Sequence, residues 1–360
     1  MPELAEVSSS NTGYFSPIQI TNASGAGDYY DFTVEIKLDS TWGGWNYLAS
    51  TDGSDIYFVD DGGDPLYFYL EEFDASSKIG IAWVKIPKIA DGETKTIYMM
   101  YGAENPYSNY NDPTKAFLFY DGFDTDTVNS GLWKKYYDAT DFTYSYSISA
   151  SVLNLTMTGA GLNPSGWRHW GIWTTVSLSN SIQGIRVVSK AFDNDGVNTY
   201  LHVFVFGEID GLTTVGQGYN ITKKNGQRFL VSTYHTDLWN GDIECGDGTT
   251  AYSTGQLTVN VTGWLVHDAK MTNSSWSWYA YSDLIDDTGT KFVDIDSSSF
   301  SCTPSLDTVS SLTILLLQVQ NDTASHTVRI DDIRVMNWGP NPPTYSIGGV
   351  FSMKRDIDFM

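Results

Sequence analysis

Gly207-Glu208-Ile209-Asp210-Gly211 holds the catalytic spacing that stands out most in this sequence. On a strand, Glu-x-Asp sets two carboxylates on one face, about 7 Å apart. Retaining glycoside hydrolysis needs a nucleophile and a proton donor roughly 5 Å apart. Leu212, Thr213 and Thr214 follow, so no third acid is at hand to supply the proton. Glu208 and Asp210 are therefore expected to mark an exposed strand end, and no catalytic residue is assigned. His169, His202, His235, His267 and His326 lie in no nucleophile context, and no phosphate-cradling Gly loop ending in Lys-Ser or Lys-Thr occurs. The expectation is a protein that is not an enzyme, with a glycoside hydrolase as the alternative.

Rings offer binding in place of catalysis. Trp167-Arg168-His169-Trp170-Gly171-Ile172-Trp173, Trp239-Asn240 and Trp276-Ser277-Trp278-Tyr279 set indoles among polar neighbours. Exposed ring faces stack on the C–H faces of sugars, and amides or guanidinium groups fix the hydroxyls. Trp276 and Trp278 share one face of a strand and read as packing. Trp170 and Trp173 sit in a loop-like run. Trp167, Trp170, Trp173 and Trp239 are the expected glycan contacts, with core or subunit packing as the competing use. Cys245 and Cys302, the only cysteines, read either as one disulfide or as two unpaired strand-edge thiols.

Composition narrows the partners. The 360 residues carry a net charge of −23, with 18 acids and 6 lysines up to Lys115 and 25 acids and 14 bases beyond it. Charge spread this evenly solvates a whole surface. It lacks the basic face that phosphates demand, so nucleic acid is excluded as a partner, and an anionic membrane surface is disfavoured. The longest apolar run, Leu312 to Val319, is strand-sized, so no membrane insertion is expected. Aromatics at 14% beside 18% charged residues describe a folded, strand-rich chain, long enough for two cores.

Strands must position these groups. Phe32, Val34, Ile36 and Leu38 alternate with polar residues, as do Ile97, Met99 and Tyr101. Asp61-Gly62-Gly63-Asp64 and Asp91-Gly92 read as turns. A first antiparallel sandwich is predicted over 14–103 after an arm at 1–13. A polar, proline-marked linker follows over 104–116. From Phe117 onward, strands at Leu153–Met157, Ile185–Val188, Tyr200–Phe206, Arg228–Val231, Leu257–Val261, Thr313–Val319 and Val328–Val335 predict a second, jelly-roll-like sandwich over 117–347, then a tail at 348–360. The fold class is all-β, two antiparallel sandwiches in tandem.

Ser16-Pro17-Ile18-Gln19-Ile20-Thr21-Asn22, Tyr29-Tyr30-Asp31-Phe32-Thr33-Val34, Asp55-Ile56-Tyr57-Phe58-Val59-Asp60, Leu66-Tyr67-Phe68-Tyr69-Leu70-Glu71, Ala82-Trp83-Val84-Lys85-Ile86-Pro87 and Thr96-Ile97-Tyr98-Met99-Met100-Tyr101-Gly102 follow one another in an order that resembles the DUF2341 domain. Phe117 to Asp124 and Arg329 to Val335 resemble the first and last strands of concanavalin-like (LamG-type) sandwiches. The first resemblance implies a surface protein of archaea or bacteria, or a protein of their viruses, and brings no catalytic residues. The second implies side-by-side first and last strands whose acids clasp a structural Ca²⁺. Asp121 and Asp124 would then meet Asp331 and Asp332, although 331 and 332 point to opposite faces unless a bulge intervenes. Ordinary acidic surface is the competing reading.

Met1-Pro2-Glu3-Leu4-Ala5-Glu6 has neither a basic nor an apolar signal region. The expected setting is therefore a virion surface reached from the cytoplasm, with an archaeal cell-surface adhesin or filament subunit as the alternative. Expected partners are further structural subunits, including copies of the chain itself, and cell-surface glycan. Past Gly348-Gly349, the residues Val350, Phe351, Ile357 and Phe359 are expected as buried contacts on another subunit.

Overall fold

The structure is a computed structural model that describes residues 13–125, 127–137, 142–159, 168–178, 184–193, 200–207, 209–210, 222–223, 227–235, 239–247, 251–259, 263–272, 276–282, 294–300, 311–320 and 325–353. Side chains are described there except at 168–169, through most of 190–311, and at 315 and 317–320. The chain forms two units, and neither is a simple tandem partner of the other. Met1–Leu118 and Gly339–Met360 belong to the first, and Phe119–Ile285 and Lys291–Trp338 to the second. The second unit is thus spliced into the first.

In the first unit, β1 (Tyr14–Thr21), β3 (Tyr57–Val59) and β6 (Thr94–Tyr101) form one sheet, and β2 (Tyr29–Leu38), β4 (Phe68–Asp74) and β5 (Ile79–Ile89) form another. Alternation decides which side chains go inward. Ile18 and Ile20 on β1, Ile97 and Met99 on β6, and Phe32, Val34, Ile36 and Leu38 on β2 are all buried, and Phe58 meets Phe68 edge-on with ring centroids 5.1 Å apart. Asp55 brackets one end by accepting hydrogen bonds from the backbone N–H of Ala49 and Gly102, at 2.7 and 2.8 Å. Gly102 adopts φ +79°, and a Cβ there would stand 2.4 Å from the Tyr47 carbonyl oxygen, so only glycine fits.

The expected linker at 104–116 is instead part of this unit. Asp112 caps the short helix α1 (Pro113–Ala116) by accepting from the Thr114 N–H at 2.9 Å, with Pro113 as its first residue. The Asp112 N–H donates to the Phe68 carbonyl. Phe117 then packs edge-on against Tyr69 and Trp83, and the Trp83 Nε1–H donates to Glu71 at 2.7 Å. Polar residues and prolines marked a cap rather than a loose connection.

The second unit holds the strands β7 (Phe119–Asp121), β8 (Lys134–Tyr137), β9 (Thr143–Ser149), β10 (Val152–Thr158), β11 (Arg168–Ser177), β12 (Gly184–Asp193) and β13 (Tyr200–Gly207). After the small hairpin of β14 (Ile209–Asp210) and β15 (Thr222–Lys223) come β16 (Gln227–His235), β17 (Trp239–Asp247), β18 (Ala251–Val259) and β19 (Gly263–Thr272). β20 (Trp276–Ser282), β21 (Asp294–Phe300), β22 (Ser311–Gln320) and β23 (Ser325–Trp338) complete it. One sheet runs β21-β20-β19-β12-β23-β10-β9, with β7 also paired to β23, and the other runs β18-β17-β16-β13-β22-β11-β8. All these pairs are antiparallel. Leu153, Leu155, Met157, Val328 and Ile330 from the first sheet, and Trp170, Ile172, Ile314 and Leu316 from the second, are buried core.

Two strands expected elsewhere return to the first unit. β24 (Thr344–Ile347) and β25 (Phe351–Ser352) both pair antiparallel with β1. Residues 344–347 therefore complete the first sandwich rather than the second. The partner is split in two because Pro17 has no N–H for the ladder. Gly348 fills that break, its N–H donating to the Pro17 carbonyl at 2.7 Å.

Candidate functional site

The four aspartates of the expected calcium site do not converge. Asp121 stands opposite Ile333 in the β7–β23 ladder, so the two share the core face. Its carboxylate accepts from the Phe123 N–H at 2.8 Å and from the Trp133 Nε1–H at 2.6 Å. The β12–β23 register shifts so that Lys190 faces Asp332 and Ala191 faces Ile330, leaving Asp331 as the extra residue. This bulge moves the inward set from Val328 and Ile330 to Ile333 and Val335, all of them buried. Asp332 consequently points away from Asp121 and pairs with Arg334 at 2.6 Å, while Asp124 is exposed. Among the described residues, no group of three acid, His or Cys side chains gathers as a metal would require. These residues do not fit the ion.

The expected glycan rings divide. Trp170 and Trp173 lie on a regular strand, β11, and not in a loop. Trp170 is 0% exposed, its ring stacked 4.3 Å from Tyr144, so it cannot meet a sugar. Ile172 and Val176 share its alternation and gave the sequence signal for burial. Trp173 faces the other way, half-buried, with the Lys134 ammonium 4.6 Å from its ring centroid. Trp167 lies outside the described residues, and Trp239 is placed on β17 with its side chain outside them.

Around Trp170, edge strands β8 and β9 assemble rings outside the expected set. Tyr137 stacks on Tyr144 at 4.8 Å, and Tyr146 lies nearly parallel to Trp170 at 6.2 Å and 9°. Lys135 sits over Tyr146, its ammonium 4.8 Å from the centroid. Tyr137, Tyr144 and Tyr146 are half-buried, whereas Lys134 and Lys135 are exposed. Lysines on an edge strand also deter pairing with foreign strands. The result is a band of partly open rings with Lys135 beside it along one edge of the sandwich, while Lys134 sits with Trp173 on the opposite face of the sheet.

A second cluster came from partners far apart in sequence. On the face of its sheet opposite the core, Arg186 donates to Asp268 through Nε and Nη2 at 2.9 and 3.0 Å. Lys270 reaches the same carboxylate at 3.0 Å. The Trp338 ring lies over both cations, 5.3 Å from Arg186 Cζ and 5.2 Å from Lys270 Nζ. Burial pushes the Asp268 carboxyl up, but Arg186 and Lys270 outweigh it and hold the group below its ordinary value. Arg186, Asp268 and Arg334 are buried.

The remaining expectations fall partly beyond view. Glu208, Cys302, Ile357 and Phe359 lie outside the described residues. Asp210 and Cys245 are placed on β14 and β17, with their side chains outside the description. Of the expected assembly contacts, Val350 lies beside Gly43 and Phe351 stacks on Phe15 at 5.3 Å, both within the chain. Phe351 is 51% exposed in the single chain.

Residues 52–136 match DUF2341, a domain of unknown function. That span begins after the expected blocks at 16–22 and 29–34 and runs on into β8. No curated protein matches the chain. Among solved structures, the CBM2 module of the evolved Dit of Lactobacillus casei BL23 phage J-1 is similar at 10% identity and TM-score 0.44, over 64% of this chain and 96% of that one. LamAcat from Zobellia galactanivorans is similar at 11% identity and TM-score 0.41, over 61% and 97%. The endo-β-1,3-glucanase of Pyrococcus furiosus is similar at 12% identity and TM-score 0.40, over 65% and 95%.

Proposed function

We propose that the chain is a non-catalytic structural and attachment protein of a virion surface, and that its second sandwich holds cell-surface glycan along the β8–β9 edge. The surface setting comes from the resemblance of the first sandwich to proteins of that kind. The ligand class comes from one observation, the half-buried rings of Tyr137, Tyr144 and Tyr146 with the exposed Lys135 ammonium over them. Rings supply faces for sugar C–H groups, and the lysine supplies donors for hydroxyls or acidic substituents.

A glycan array probed with the folded protein tests this. Binding is expected, and Tyr146→Ala and Lys135→Ala should each weaken it about tenfold, some 1.4 kcal/mol, with the melting temperature unchanged in Lys135→Ala. Absence of any glycan ligand, or full binding by both variants, overturns the reading. Release of reducing sugar from a bound glycan, abolished by Glu208→Gln, would make the protein a hydrolase instead.

A further inference from the structure

β24 and β25 are held in a way that reads their sequence. The Tyr29 hydroxyl donates to the Asn341 carbonyl at 3.0 Å, and the Lys37 N–H donates to the Tyr345 hydroxyl at 2.8 Å. A Cβ on Gly339 would stand 2.1 Å from the Tyr29 hydroxyl, and one on Gly348 would stand 2.8 Å from Pro17 Cγ. The Met353 N–H donates to Gly13 at 2.8 Å beyond the break at Pro17. Tyr29 and Lys37 on β2 and Pro17 on β1 together therefore select glycine, then tyrosine, then glycine at fixed offsets. Within this chain, Gly339 to Met353 is the segment that meets those demands.

The attachment is also small. β24 is an edge strand of four residues, with Thr344 and Ser346 exposed. Its tie to β23 is Gly339-Pro340-Asn341-Pro342-Pro343. Each proline fixes its own φ and pushes the residue before it into an extended conformation. The tie bends at Pro340 and Asn341, and its three prolines narrow the conformations open to it. Short edge elements open at the low end of the local stability range. A segment released on such a tie meets the same acceptor edge on any neighbouring copy, and exchange changes no contact except those of the tie.

We propose that Thr344–Met353 of one chain docks on β1 of a second copy of this chain, so that copies are joined by exchanged strands. The inference is independent of glycan binding and survives if no glycan is bound.

Gln19 and Ser346 face each other in the ladder and are both exposed. Directly paired strand positions have Cα atoms close enough for a disulfide. A full-length chain carrying Gln19→Cys, co-expressed with a differently tagged chain carrying Ser346→Cys, should give on oxidation a reducible dimer holding both tags. Asp61→Cys paired with Ser346→Cys sets the background, since Asp61 lies in the turn after β3. If Gln19→Cys/Ser346→Cys in one chain closes within itself while the mixed pair stays at background, exchange is overturned. If neither arrangement links, the pairing on which exchange depends is overturned with it.

Discussion

Arg186 grips Asp268 through two parallel hydrogen bonds on the face of its sheet that points away from the core. Both are buried, and the Asp268 carboxylate is the group that Arg186 and Lys270 share. Asp268→Asn should cost about 3–5 kcal/mol in urea unfolding. Arg186→Met/Asp268→Leu should restore part of that loss, because a buried ion pair and a well-packed apolar pair are of similar worth while Lys270 still gives up its contact with Asp268.

The same pair sets a pH dependence. Arg186 and Lys270 hold the Asp268 carboxyl below its ordinary value of 3.8 despite burial. A depressed carboxyl adds stability that is fully present above the unfolded value and is lost as pH falls through the folded one. Relative to Arg186→Met/Asp268→Leu, the native chain should show a constant unfolding free energy from about pH 5 to 8 and a declining one below about pH 4. A difference that instead grew on acidification would contradict the ion pair.

Asp121 is occupied by the Phe123 N–H and the Trp133 Nε1–H. Asp121→Ala leaves two donors without their acceptor and should cost about 1–3 kcal/mol. The cost should be equal in EDTA and in millimolar calcium. A penalty seen only with calcium would give the residue back its metal role.

Gly339→Ala drives a methyl group into the Tyr29 ring. The expected loss is local, about 1–3 kcal/mol, and is read by hydrogen exchange. Amides of 344–347 should lose protection while those of β5 keep theirs. Uniform loss across the first unit would show that β24 is integral to its global stability.

Where inward and outward residues alternate on one strand, the fold was legible. Phe32, Val34, Ile36 and Leu38 are buried as their spacing predicts. Trp170 and Trp173 were harder, because polar neighbours hid the alternation that continues through Ile172 and Val176. The calcium reading failed on a bulge at Asp331, since one extra residue reverses every side chain beyond it and leaves no mark in composition. Arg186 sits within Ile185-Arg186-Val187-Val188, a run that reads as apolar, and its partner lies 82 residues away. β24 is too short to show a period, and its partner is β1, separated from it by the whole second unit.

Splicing one sandwich into another also imposes an order in time. β1 and β6 leave the ribosome long before Thr344, with the second unit still to be made between them. At typical synthesis rates of roughly 5–20 residues per second, that interval lasts on the order of ten to fifty seconds. Throughout it the outer edge of β1 lacks its own closing strand. Each nascent first unit is, for that time, a receptive edge beside other growing chains on the same message.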